Sequence, residues 1–147
     1  MKKKIIIGIM LLLATVLLAG YLHLSGNDMS YNAALKANWR ITLPYGGEEI
    51  YVKKIPEESF NGDGERFRVY RYDETPVFNN ELLWSDTIPK VQRLLEITDN
   101  MNPDFEPDLN SESNNYFHMT GDTDARDKLW LIYDEENKLL YVVEDFY

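Results

Sequence analysis

An α+β domain, with a mainly antiparallel sheet of about five strands, one principal helix packed on it and an N-terminal transmembrane helix ahead of it, is the fold class this sequence predicts. Three observations carry that expectation. A twenty-residue apolar run, Ile5–Leu24, follows Lys2, Lys3 and Lys4. Several later segments alternate apolar and polar residues, the signature of strands with one wet face. Between them, one stretch repeats its apolar residues at spacings of three and four, the period of an amphipathic helix.

The apolar run is interrupted only by Gly8, Thr15, Gly20, Tyr21 and His23. A helix of that length spans about 30 Å, the thickness of a bilayer core, whereas cleavable leaders carry about 7 to 15 apolar residues. Residues 1–24 therefore read as a signal anchor, with the lysines holding the N-terminus in the cytoplasm and Tyr21 at the far interface. Leu18-Ala19-Gly20 resembles a lipoprotein box, but Tyr21 stands where the lipidated cysteine would be, so lipidation is excluded. The alternative is a cleaved signal peptide and a secreted product.

Residues 25–38 mix turn residues with a short Ala-Leu-Ala patch and read as a tether with room for one helical turn, which puts the acidic extracytoplasmic domain at 39–147. WRITLP and EEIYVKKI alternate about Tyr45-Gly46-Gly47, as a first hairpin would. ERFRVYRYD, after the turn Asn61-Gly62-Asp63-Gly64, predicts a third strand. Over Thr87–Thr98, Ile88, Val91, Leu94, Leu95 and Thr98 share one helical face, with Asp86 or Thr87 as cap and Pro89 in the first turn. Residues 99–115 have no period and read as a loop or disordered excursion. LWLIYDEENKLLYVVEDFY closes the chain as a hairpin whose strands are apolar on both faces, so they belong at the sheet centre.

The 147 residues include 15 basic and 25 acidic ones, a net charge of −10. Without the three leader lysines, 12 basic residues face 25 acidic ones, a net charge of −13 for the rest. Such a field repels nucleic acid and anionic headgroups, and leaves a cationic protein, a divalent cation or a neutral glycan as possible partners. There is no cysteine, so disulfides, thiolate zinc sites and cysteine nucleophiles are ruled out. His23 and His118 are the only histidines.

FNGDGERF, residues 60–67, offers exposed amides at Gly62 and Gly64, but Asp63 and Glu65 would repel a phosphate, so a tight turn or a cation or partner site are the readings. Asp104, Glu106, Asp108, Asn110 and Glu112 alternate as calcium ligands do, yet Leu109 and Asn115 stand where a calcium loop needs glycine and glutamate. Gly121-Asp122-Thr123-Asp124 adds two carboxylates in a turn. Tyr70, Tyr72, Trp84, Tyr116 and Phe117 either line a stacking or partner face or pack in the core. The candidate binding residues are thus Gly62, Asp63, Gly64, Glu65, Tyr70, Tyr72 and Trp84, with no catalytic residue, metal or cofactor assigned.

FNGDGERF, LLWSDTIPKVQRLL and LWLIYDEENKLLYVVE, in that order, resemble segments of an uncharacterised family of small Firmicutes proteins. That group is marked by a His-Gly-Gly-Phe-His-Gly-Asp-Gly-like segment, a Trp followed by Leu-Pro and a closing Tyr-Asp…Leu-Tyr hairpin. The similarity covers most of residues 55–147. Pro56 to Ser59 and Asn61 replace the family's histidines here. The resemblance implies a bacterial source and a domain extent, and no activity. The expectation is a single-pass cell-membrane protein whose outer domain is a non-catalytic binding or accessory module. A secreted inhibitor or immunity-type protein for a basic target is the first alternative, and a carboxylate-dependent hydrolase the second.

Overall fold

The structure, a computed structural model, describes residues 31–55, 64–78, 82–88, 91–100 and 102–147. The apolar run, residues 25–30, Gly62, Asp63 and Pro89 lie outside the described residues. Among the described residues no helix is long and apolar enough to cross a membrane.

Five antiparallel strands form one open sheet: β1 Glu48–Ile55, β2 Gly64–Arg71, β3 Asn114–Thr120, β4 Lys128–Asp134 and β5 Leu139–Phe146, in the order β1-β2-β5-β4-β3. The strands with apolar residues on both faces, β4 and β5, sit inside the sheet, as that pattern requires. Helix α1, residues 31–39, covers one face, and helix α2, Val91–Thr98, covers the other.

Alternation along each strand divides the core in two. Leu129, Leu131, Leu140 and Val142 meet Tyr31, Leu35 and Trp39 of α1. Trp130, Ile132, Val143 and Phe67 meet Leu94 and Ile97 of α2. Each such buried aliphatic or aromatic side chain contributes about 1.5–3 kcal/mol.

Four local expectations are corrected. The domain does not begin at Trp39: Tyr31, Leu35 and Trp39, four residues apart, make one buried stripe of α1, so the expected tether is folded from residue 31 onward. WRITLP is not a strand. α1 runs through Trp39, Arg40 ends it with φ +59°, and Ile41 and Leu43 then cross the sheet face as irregular chain. The partner of β1 is accordingly β2, in a register broken by a bulge between Glu49 and Tyr51. The described part of 99–113 is a loop, as expected, carrying one 3-10 turn, Pro103–Phe105, but it is no excursion, because Phe105 stacks on Tyr51 with centroids 4.5 Å apart; at Asn114 the chain enters β3, an unexpected strand.

Candidate functional site

Glu144 and Asp145 are adjacent on the central strand and therefore point to opposite faces of the sheet. Both are buried, at 1% and 2% exposure. Glu144 accepts hydrogen bonds from the Tyr31 hydroxyl (3.0 Å) and the Trp39 indole N–H (2.7 Å). Asp145 accepts two from Arg93 of α2, at 2.8 and 2.9 Å. One acidic dipeptide thus fastens a helix to each face.

The surrounding charges complete these fastenings. The Arg68 guanidinium lies 3.9 Å over the Tyr31 ring and is paired with Glu49, which also accepts from the Tyr70 hydroxyl at 2.9 Å. Burial, and then the Glu144 carboxylate, pushes the Tyr31 hydroxyl well above its ordinary range, so it stays a proton donor. Arg93 donates a further bond to Glu65 at 3.0 Å. Burial raises the Glu65 pKa, and Arg93 only partly offsets it.

The C-terminal end of α1 opens onto a cleft of about 370 Å³. Its walls are Ala37–Trp39, the loop 121–127 between β3 and β4, and the end of β5, with Arg66 of β2 stacked 4.6 Å over the Phe146 ring. The loop is tightly built. Gly121 N–H donates to the Asp127 carbonyl (3.0 Å), Asp127 N–H to the Asp124 carbonyl (3.1 Å), and Tyr147 N–H to the Asp127 carboxylate (2.9 Å). Arg126 clasps Asp124, and its side-chain and backbone hydrogen bonds hold that carboxyl down to about 2. At the cleft's edge Arg40 pairs with Asp122 at 2.9 Å, both side chains mostly exposed. Such a pair is worth about 0–1 kcal/mol, so a partner's cation could replace Arg40 at little cost.

The residues singled out from sequence do not converge. Gly64 opens β2 with φ +118°, opposite Phe146, while Glu65 turns to the α2 face. Tyr70 and Tyr72 are buried on the α1 face, where Tyr72 donates to the Pro44 carbonyl (3.3 Å) and backs against Gly47. Trp84 packs edge-on against Phe78 at 4.7 Å on the same face. His118 lies against Trp130. Among the described residues no three His, Asp or Glu side chains gather as metal ligands would.

Trp39, Arg66, Asp127 and Phe146 were not suggested by the sequence reading. The turn Gly121–Asp124 was, and it supplies one cleft wall. A second hollow, about 330 Å³, lies between Leu95 and residues 106–110 on the α2 face. Comparison of the chain with family models, curated proteins and solved structures finds no match.

Proposed function

We propose that the chain is a single-pass bacterial membrane protein whose domain lies outside the cytoplasm and acts as a non-catalytic binding module for a cationic partner. The observation that carries this reading is the twenty-residue apolar run behind three lysines, followed after only six residues by the start of the described fold at Tyr31. An electronegative domain tethered so closely favours basic partners through its field. The cleft beside α1 offers Asp122 and Asp127 to a basic side chain, with Arg40 as the internal cation that such a side chain displaces.

Two features weigh against the hydrolase alternative. Paired carboxylates that cleave glycosides face one another across about 5–9.5 Å of open cleft. Glu144 and Asp145 point to opposite faces of the sheet, and each is occupied in holding a helix.

Protease added to intact protoplasts of cells making the chain tests the placement. The domain is expected to be shaved off, and mass spectrometry of the untreated membrane fraction is expected to find Met1–Leu24 still attached. A domain that survives overturns the outward placement, and a mature N-terminus between residues 20 and 30 supports the secreted alternative instead.

A further inference from the structure

The sheet is open, so it ends in two edge strands, β3 and β1. An edge strand carries a row of backbone N–H and C=O groups that no neighbouring strand takes up. On β3 part of that row is occupied, because Ser85 and Tyr116 exchange two backbone hydrogen bonds, at 2.7 and 2.8 Å. Among the described residues no backbone–backbone hydrogen bond joins β1 to anything but β2.

The bulge in β1 decides what its outer rim presents. Glu49, Val52 and Lys54 stand opposite Tyr70, Arg68 and Arg66 of β2, alternate residues of that strand, so all three lie on the α1 face. Val52 is two pairing positions from the acid and two from the base. Without the bulge, Glu49 and Val52 would face opposite ways. Val52 is 47% exposed and belongs to neither core, whereas Ile50, Tyr51 and Ile55 pack toward α2. The bonds from Arg68 and Tyr70 to Glu49 both go to Oε2, which leaves Oε1 for another cation. Lys54 is exposed and enters no ion pair among the described residues.

A strand with an acid, an apolar residue and a base at equal steps complements its own reverse. When two copies of β1 run antiparallel with Val52 opposite Val52, each Lys54 meets the partner's Glu49 on the same face, and each Lys53 lies opposite the partner's bulge. Lysines and a bulge ordinarily keep an edge strand from pairing with foreign strands. Here one register gives each Lys54 a carboxylate, so the same devices select a second copy of this chain.

We infer that β1 is an interface between two copies of the chain, paired antiparallel about a two-fold axis at Val52 so that their sheets join into one. The eight residues of β1 reach about 26 Å. A contact one strand wide is small beside the ~800 Å² per partner of a standard interface, so the association is reversible. It depends on neither the anchor nor the cleft.

Opposite residues of an antiparallel pair have Cα atoms about 4.5–5.5 Å apart, within the span of a disulfide. The chain has no cysteine, so Val52→Cys places a single thiol at the axis. Full-length Val52→Cys and Leu95→Cys, in detergent, are oxidised with copper phenanthroline, and covalent dimer is followed on non-reducing gels. Leu95, 40% exposed on α2, controls for chance encounter and for the sharing of a micelle. Position 52 is expected to cross-link several-fold faster than position 95, and adding Lys54→Glu to Val52→Cys is expected to remove most of that advantage. High salt, which needs no second substitution, is expected to act in the same direction and decides the matter if the double variant loses the parent's circular dichroism. Equal rates at 52 and 95 overturn the interface. A fast rate at 52 that neither Lys54→Glu nor high salt lowers overturns the register, and the self-complementarity with it.

Discussion

Glu144→Ala is expected to destabilise the domain by about 3–4 kcal/mol, and Glu144→Gln by about 1 kcal/mol. The carboxylate is 1% exposed and accepts from two neutral donors, Tyr31 at 3.0 Å and Trp39 at 2.7 Å. Hydrogen bonds to a charged group contribute about 1.5–3 kcal/mol each, and a buried donor left without a partner costs about 1–3 kcal/mol. Alanine loses both bonds and strands both donors, while relief of the buried charge returns part of the cost, which gives a net loss near the 3–5 kcal/mol typical of breaking a buried pair. Glutamine keeps an oxygen for the Trp39 N–H, and its amide donates to Tyr31, whose hydroxyl rotates to accept. At roughly 4 °C per kcal/mol for a domain of this size, the alanine variant should melt about 12–16 °C lower and the glutamine variant about 4 °C lower. Thermal and urea unfolding of the full chain in detergent, followed by tryptophan fluorescence and far-ultraviolet circular dichroism, measures both. If the two variants lose the same stability, the charge and not the two bonds matters; if alanine loses under about 1 kcal/mol, Glu144 does not hold α1.

On the other face, Asp145→Asn should cost about 3 kcal/mol because it breaks the two-bond clasp on Arg93, whereas Glu65→Gln should stay within about 1 kcal/mol of the parent in urea melts. Glu65 has a folded-state pKa raised by burial, so its ionisation penalises the fold only as pH rises above the unfolded value of about 4.3, and glutamine removes that penalty. Asp134 behaves oppositely. Burial alone would raise its pKa, but hydrogen bonds from Asn137, Ser113 and the Glu136 amide lower it, so its stabilisation is present above about pH 4 and fades as pH falls through the folded value. Asp134→Asn should therefore flatten the fall of the urea midpoint below about pH 4. Gly121→Ala places a Cβ 2.7 Å from the Asp124 carbonyl oxygen and 2.9 Å from the Asp127 Cβ, and should cost about 1–3 kcal/mol while shifting the Trp39 indole N–H resonance at the cleft wall.

The parts of the fold legible in the sequence are those whose pattern has one physical origin. β4 and β5 are apolar on both faces because each lies between two packed layers, and α2 shows through its period of three and four, although Ile97 takes the buried place expected of Leu95, which is 40% exposed. α1 was hidden because its buried stripe has just three members, Tyr31, Leu35 and Trp39, set among Asn, Ala and Lys. WRITLP alternates for a different reason: irregular chain crossing the sheet also buries every second residue, here Ile41 and Leu43. β3 begins with Asn114 and Asn115 after a polar loop, so its short alternation did not stand out. The cleft was illegible as a whole, since residues 37–39, 66, 121–127 and 146–147 become neighbours only through the pairing of β2 with β5 and the return of α1.

The acidic end of β5 changes what the composition means. Glu144 and Asp145 count among the 25 acidic residues, yet in the fold both are interior, and each holds a helix. Their position matters most for α1, which follows the apolar run in sequence and packs on the sheet. While Glu144 holds Tyr31 and Trp39, no more than six residues, 25–30, separate the apolar run from packed chain, a span of at most about 20 Å. If α1 let go, that stretch would lengthen to the fifteen residues 25–39, with a reach of about 50 Å. A buried carboxylate bonded by two neutral donors therefore sets a distance as well as a stability. On the anchoring proposed above, the bonds that close the core would also limit how far the domain stands from the bilayer.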